Sequence, residues 1–300
     1  GQVGAGALEF RLDAVGMGLG DTAGTPDQGP TIASETIQVT SVAIRIAATQ
    51  IRARLITLAA AALSCGEDEV ALADGVISRK GETAPAIALD TLLANERILL
   101  SLAEGAEFKQ VDRHKLVGRS VARVDIPAKV TGSFTYVHDV RVAGMLHGRV
   151  VRPPYAGMDA GDFVGRSLIS VDRDSIADVP GIRAVVVEGD FIGIVAEREE
   201  QAAEAALKLR AHWREFATPD LSDLGQALRT HPSTPRLLAE EGDVDTALES
   251  LETRLDRTYV WPYHLHGSIG PSCAVADVRE DGITVWTGSQ NPYPLQNDLA

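Results

Sequence analysis

Cysteine is nearly missing from this 300-residue chain: Cys65 and Cys273 are the two it has, and they form no CxxC. That excludes a disulfide framework and a thiolate-held cluster, so any iron–sulfur centre has to sit on another polypeptide. Basic residues are also short, 28 Lys and Arg against 42 Asp and Glu for a formal charge of -14, with no basic block. A phosphate backbone or an anionic membrane surface is therefore excluded as a partner. Long apolar runs are missing too. The longest, Leu55 to Cys65, is half of the ~20 residues that cross a bilayer, and Arg45, Arg52 and Arg54 precede it, so no membrane span is expected.

Several chemical signatures are absent as well. There is no HExxH, and no GxSxG for a hydrolase elbow. Gly16-Met-Gly-Leu-Gly20 has Asp21 where the third glycine of a GxGxxG dinucleotide loop would stand, and turn formers rather than a helix follow it. His264 and His266 would share one face of a strand, but no further zinc ligand stands at helical or hairpin spacing, which favours a structural role. The chain opens on Gly with no signal-like segment and stops at Asn297-Asp-Leu-Ala300, where a helix begins. Both ends read as cut, so the chain is expected to be a piece of a longer protein, and the compartment, bacterial periplasm or cytoplasm, stays open.

What is present suits two or three domains: 300 residues, 45% hydrophobic. Gly20 to Thr31 is dense in turn formers and reads as a loop. After it, Ile44, Ala47, Ala48, Ile51, Leu55, Leu58, Ala59 and Ala62 recur at helical spacing, with Gly66 as a stop. Val70 to Ile77 predicts a hairpin around Asp74-Gly75, and Asp90 to Leu102 a short helix and connector. Leu146–Val151, Ile182–Val187 and Phe191–Ala196 predict strands, and Glu199 to Trp213 an amphipathic helix. Pro219 to Pro235 holds at most a short helix, Gly242 to Leu248 has an acidic helix start, and Thr253 to Tyr259 predicts a strand.

The densest information lies near the end. Pro262-Tyr-His-Leu-His-Gly-Ser-Ile-Gly-Pro-Ser-Cys-Ala-Val-Ala-Asp277 feeds an alternating strand, Asp281-Gly282 reverses it, and a second strand delivers Ser289, Gln290 and Asn291 to a helix opened by proline. Small residues beside amides suit a buried, polar, uncharged ligand. The pattern resembles the cofactor-binding core of the large subunit of molybdenum hydroxylases, the xanthine dehydrogenase and aldehyde oxidase family. Leu116 to Gly132 and His138 to Pro154 resemble the opening of that family's α/β hammerhead domain, in which His138, His147 and Arg152 are expected to be structural. Gly20 to Thr36 resembles a second cofactor loop. Its place ahead of the hammerhead is similar to the branch containing the isoquinoline 1-oxidoreductase and nicotinate dehydrogenase large subunits.

The resemblance implies an α+β, multi-domain fragment. Its segments would be an N-terminal molybdopterin-binding segment (1–103), a linker (104–117), a hammerhead domain (118–216), a second linker (217–241) and the start of the main molybdopterin-binding domain (242–300). It implies Gln290, with Gly288 and Ser289, beside an oxygen ligand of molybdenum. An amide suits that post because it donates a hydrogen bond without adding charge. Gly267, Ser268, Gly270 and Pro271 match the neighbouring loop, although many relatives carry an acidic residue where Gly270 stands. Ala33, Ser34 and Thr36 would line the cofactor. Read without the resemblance, Ser34 or Thr36 would cap the next helix and Gln290 would serve loop backbone groups.

The implied activity is hydroxylation of an N-heteroaromatic or aldehyde small molecule, with water as oxygen source. The implied cofactor is molybdenum-molybdopterin in its cytosine dinucleotide form, with no side chain on the metal. Electrons would pass to [2Fe–2S] clusters in a small partner subunit and, in some relatives, onward to a cytochrome c. The family's glutamate base would lie beyond Ala300, so no catalytic residue is assigned in this chain. The competing expectation is an inactive α/β binding or assembly module derived from the same family.

Overall fold

The computed structural model describes residues 1–82, 86–94, 96–102, 108–154, 167–215, 220–262 and 264–300. They mix helices with small antiparallel sheets, an α+β arrangement, in two compact units. The first combines residues 1–140 with 272–300, and the second is residues 141–271.

In the first unit, helix α1 is Gln2–Leu8, and a π-helical turn at Thr36–Thr40 runs straight into α2, Ser41–Leu63. α2 stops where Ser64 turns left-handed and its N–H closes back on Ala60 and Ala61. Strands β1 (Val70–Ala73) and β2 (Val76–Arg79) form the expected hairpin, with Asp74 and Gly75 both at positive φ, as a two-residue turn requires. Strand β3 (Ala86–Ala88) pairs antiparallel with β2 and leads into helix α3 (Leu89–Leu93). Leu55, Ala59 and Ala60 of α2 close on Val70, Leu72 and Ile77 to make this core. Helix α4 (Ile126–Thr131) follows, ended by Gly132 at φ 74.

The second unit opens with β4 (His147–Val151) and β5 (Leu168–Asp172), then β6 (Ile182–Glu188) and β7 (Phe191–Ala196). Helix α5 (Glu199–Lys208) and strand β8 (Arg210–Trp213) follow. β7 is the middle of a β4-β7-β6 sheet, and β5 pairs with β8. Ile192 and Ile194 point from β7 onto Ala205 and Leu209, with Ile176 and Val179 completing the core. Helices α6 (Leu224–Thr230) and α7 (Val244–Glu249) are each capped by an aspartate, Asp223 and Asp243, that accepts a backbone N–H. The chain returns to the first unit with β9 (Ala274–Arg279), β10 (Gly282–Thr287) and helix α8 (Pro292–Leu299).

Four expectations are corrected. The helix expected through Trp213 ends at Lys208, because Leu209 is extended and Arg210 pairs with Asp172 of β5 at 2.6 Å. Thr253–Tyr259 is not a strand: it has no partner edge among the described residues, and Arg254 pairs instead with nearby Asp256 at 3.6 Å. His264 and His266 likewise lie on irregular, exposed backbone. The last hairpin turns on Glu280 and Asp281, since Gly282 already pairs with Arg279.

The continuous helical run also changes the membrane reading. By length and composition, Thr36–Leu63 is 28 residues long and apolar enough to cross a bilayer. Its buried residues Ala48, Leu55, Ala59 and Ala60 are used within the unit, and Arg45, Arg52 and Arg54 interrupt its surface.

Candidate functional site

β10 ends at Thr287, whose hydroxyl donates to the carbonyl of Cys273, the residue just ahead of β9, at 3.3 Å. Gly288, Ser289 and Gln290 then bridge to α8, which starts at Pro292 because proline needs no N–H partner in a first turn. Within the bridge Ser289 Oγ accepts the Asn291 N–H at 3.0 Å, a local turn that sets the direction of the chain.

The Gly20–Thr36 loop is built from similar turns. Asp21 Oδ1 accepts the Ala23 N–H and Asp27 Oδ1 the Gly29 N–H, both at 2.9 Å. Each closes an Asx turn, which explains the density of Asp, Gly and Pro there. The loop ends on Ala33 and Ser34, both at positive φ, 47° and 58°. That region costs a residue with a Cβ about 1–2 kcal/mol, and strain of this kind concentrates at ligand-holding sites.

These two loops meet. The Thr31 N–H donates to the Gln290 carbonyl at 2.7 Å, and the Gln290 side-chain Nε2 donates to the Thr31 carbonyl, also at 2.7 Å. Tyr293 OH donates to the Thr25 carbonyl one turn further on. The structure thus brings the Ala33–Ser34–Thr36 group and the Gly288–Ser289–Gln290 group onto one joined, exposed surface. Gly267, Ser268, Gly270 and Pro271 belong to the second unit, where they are exposed irregular backbone with Gly267 at φ 59.

Neither reading of Gln290 made without the structure is complete. The amide does serve loop backbone, but only with one of its two N–H groups, and Oε1 takes no hydrogen among the described residues. One donor and one acceptor remain for a ligand. Ser34 and Thr36 do not cap the helical run: Glu35 and Thr40 hold the cap positions of the two helical stretches, and neither makes a side-chain cap bond. Sequence reading missed Thr31 and Tyr293. Backbone carbonyls as acceptors leave no residue-type signal, and the tyrosine stood out only by its place between two prolines.

No candidate residue has a carboxyl, imidazole or amino side chain, so the candidates can recognise and orient a polar ligand but are not themselves an acid or base. Small side chains, hydroxyls and an amide on turn-rich backbone fit an amide-rich ring system such as a pterin. Residues 1–138 match the family described as molybdopterin cofactor-binding domain. The chain is similar to molybdenum-binding subunits of the xanthine dehydrogenase and aldehyde oxidase family. Over its whole length it is 50% identical to a nicotinate dehydrogenase subunit of Pseudomonas putida, covering 25% of that protein. It is 29% identical to the beta subunit of isoquinoline 1-oxidoreductase from Brevundimonas diminuta, over 66% of this chain and 26% of that one. Quinoline 2-oxidoreductase from Pseudomonas putida 86 superposes on 57% of this chain and 26% of its own, at 16% identity and a TM-score of 0.42. The chain therefore spans about a quarter of the length of the curated relatives it matches.

Proposed function

We propose that this chain is part of the molybdopterin-binding subunit of an oxidoreductase that hydroxylates an N-heteroaromatic substrate, or oxidises an aldehyde, with water as the oxygen source. The observation that supports it most is the Thr31–Gln290 pair, which ties two loops, each similar to a cofactor loop of the family, into one surface. The names of the two similar curated subunits, for nicotinate and isoquinoline, favour a heteroaromatic ring over an aldehyde.

In this reading Gln290 offers its free N–H and Oε1 to the cofactor, with Gly288 and Ser289 setting the backbone that carries it. Ser34 and Thr36 offer hydroxyls, and Ala33 keeps the approach open. Gly267, Ser268, Gly270 and Pro271, in the second unit, are cofactor-contacting candidates on the strength of the resemblance alone. When bound, the molybdenum–pterin group, in its cytosine dinucleotide form, supplies the two-electron oxidation. The chain's own residues hold, orient and hydrogen-bond it, and none acts as base. Residues 118–216 would form the hammerhead domain, a small [2Fe–2S] subunit would receive the electrons, and a cytochrome c would be the further acceptor.

The test is substrate-dependent reduction of a dye by the full-length heteromer offered nicotinate, isoquinoline and benzaldehyde. Turnover of a ring substrate with oxygen-18 from water in the product is expected. A cofactor-loaded heteromer that turns over none of the three classes would favour the binding or assembly module.

A further inference from the structure

The Thr31–Gln290 pair joins the two loops at one residue on each, which sets their separation and leaves them able to turn about the joint. A second contact removes that freedom. The Tyr293 hydroxyl donates to the Thr25 carbonyl, six residues before Thr31 on one loop and three residues after Gln290 on the other side. Two separated attachments fix an orientation, where one fixes only a distance.

Both ends of the second contact are stiff. Thr25 closes a turn on Asp21, whose carbonyl accepts the Thr25 N–H at 2.9 Å and the Thr25 hydroxyl at 2.7 Å. Pro26 follows and narrows the backbone conformations open to Thr25. At the other end Tyr293 stands between Pro292 and Pro294, whose rings lock φ on either side of it. The Leu295 N–H closes this first turn of α8 on the Asn291 carbonyl at 3.1 Å. The half-buried phenol is a rigid arm with two torsions, so holding its hydroxyl in place costs little freedom. What the orientation controls lies at the joint: Ser34 comes three residues after Thr31, and the remaining N–H and Oε1 of Gln290 leave from the joint itself. Turning one loop against the other would swing these groups apart while the loops stayed attached.

We propose, resting on the molybdopterin reading above, that Tyr293 is a positioning residue: its hydroxyl holds the Gly20–Thr36 loop in one orientation about the Thr31–Gln290 joint and so aims the Gln290 amide at the cofactor. Tyr293 acts through Gln290 and takes no part in the chemistry itself.

Tyr293→Phe keeps the ring and removes the donor, and it is compared with wild type, Gln290→Ala and the double variant in the full-length heteromer. Molybdenum and pterin content, the Mo(V) electron paramagnetic resonance spectrum of the partly reduced protein, kcat and KM for a ring substrate, and the melting midpoint are measured on each. Tyr293→Phe should keep its molybdenum and pterin, shift the Mo(V) spectrum and lower kcat about tenfold, with KM changed less than about twofold. In the Gln290→Ala background the same change should cost less than about twofold in kcat and leave the spectrum unaltered, because the group it aims is gone. A wild-type spectrum and kcat in Tyr293→Phe, with or without a lowered melting midpoint, reduce the phenol to a structural bond and overturn the proposal. So does an equal loss repeated in the Gln290→Ala background, which would give Tyr293 a role of its own. Wild-type heteromer without molybdenum sinks the molybdopterin reading and the role of Tyr293 with it, whereas either of the other two results in loaded protein leaves that reading standing.

Discussion

Gln290 and Thr31 hold each other through two hydrogen bonds of 2.7 Å, backbone to backbone in one direction and side-chain amide to carbonyl in the other. The pair fastens residues from opposite ends of the sequence, so changes at either loop should be felt at both. Gln290→Ala keeps the backbone bond and removes the amide. In the full subunit, turnover should fall about 10- to 100-fold, as for loss of a group that orients a metal's ligands, with stability lowered by only about 0.5–1.5 kcal/mol. Gln290→Glu should be no better, because a carboxylate facing the Thr31 carbonyl has no N–H to give. Full turnover with a lowered melting midpoint would reduce Gln290 to a loop fastener.

Ser34 separates strain from recognition. Its φ of 58° suits glycine, so Ser34→Gly should raise stability by about 1 kcal/mol while removing the hydroxyl offered to the cofactor. Ser34→Leu should lower molybdopterin occupancy through bulk. Pterin content per folded subunit decides: full occupancy in both variants would place Ser34 away from the ligand.

Glu9 predicts a pH dependence. Burial pushes its carboxyl up, but the hydrogen bond from Lys109 and the charges of Arg52, Lys109 and Lys115 outweigh that and hold it below its ordinary value. A lowered folded-state pKa stabilises above the unfolded value, about 4.3, and the contribution is lost as pH falls through the folded value. Glu9→Gln should therefore lower the melting midpoint at pH 7 and have progressively less effect as acid protonates the wild-type group. An equal deficit at pH 7 and pH 3 would show that shape, not charge, matters there.

Leu55 is 2% exposed and sits between α2 and the β1–β2 hairpin. Leu55→Ala should cost about 2–5 kcal/mol, read from chemical denaturation followed by a probe in residues 1–140. A loss under 1 kcal/mol would mean that the α2 face is not packed as described.

Local chemistry was legible in the sequence. Asp74-Gly75 can hardly be anything but a tight turn, and the Asp, Gly and Pro of the Gly20–Thr31 loop form the Asx turns their types favour. What depends on a distant partner was not. Arg210–Trp213 continues an acceptable helical pattern and becomes a strand because β5 offers an edge and Asp172 a charge. Thr253–Tyr259 has the alternation of a strand but no edge to join. At the candidate site, the residue types of Gln290 and Ser34 could be read in advance. Their joining through Thr31 could not, since backbone groups carry no sequence signal.

The central claim is that the two joined loops hold a molybdenum–pterin cofactor. Elemental analysis with pterin quantification on the purified full-length heteromer, made in a host that synthesises the cofactor, tests it most directly. The account predicts about one molybdenum and one pterin dinucleotide per large subunit, falling in Ser34→Leu. Folded heteromer without molybdenum or pterin would contradict it.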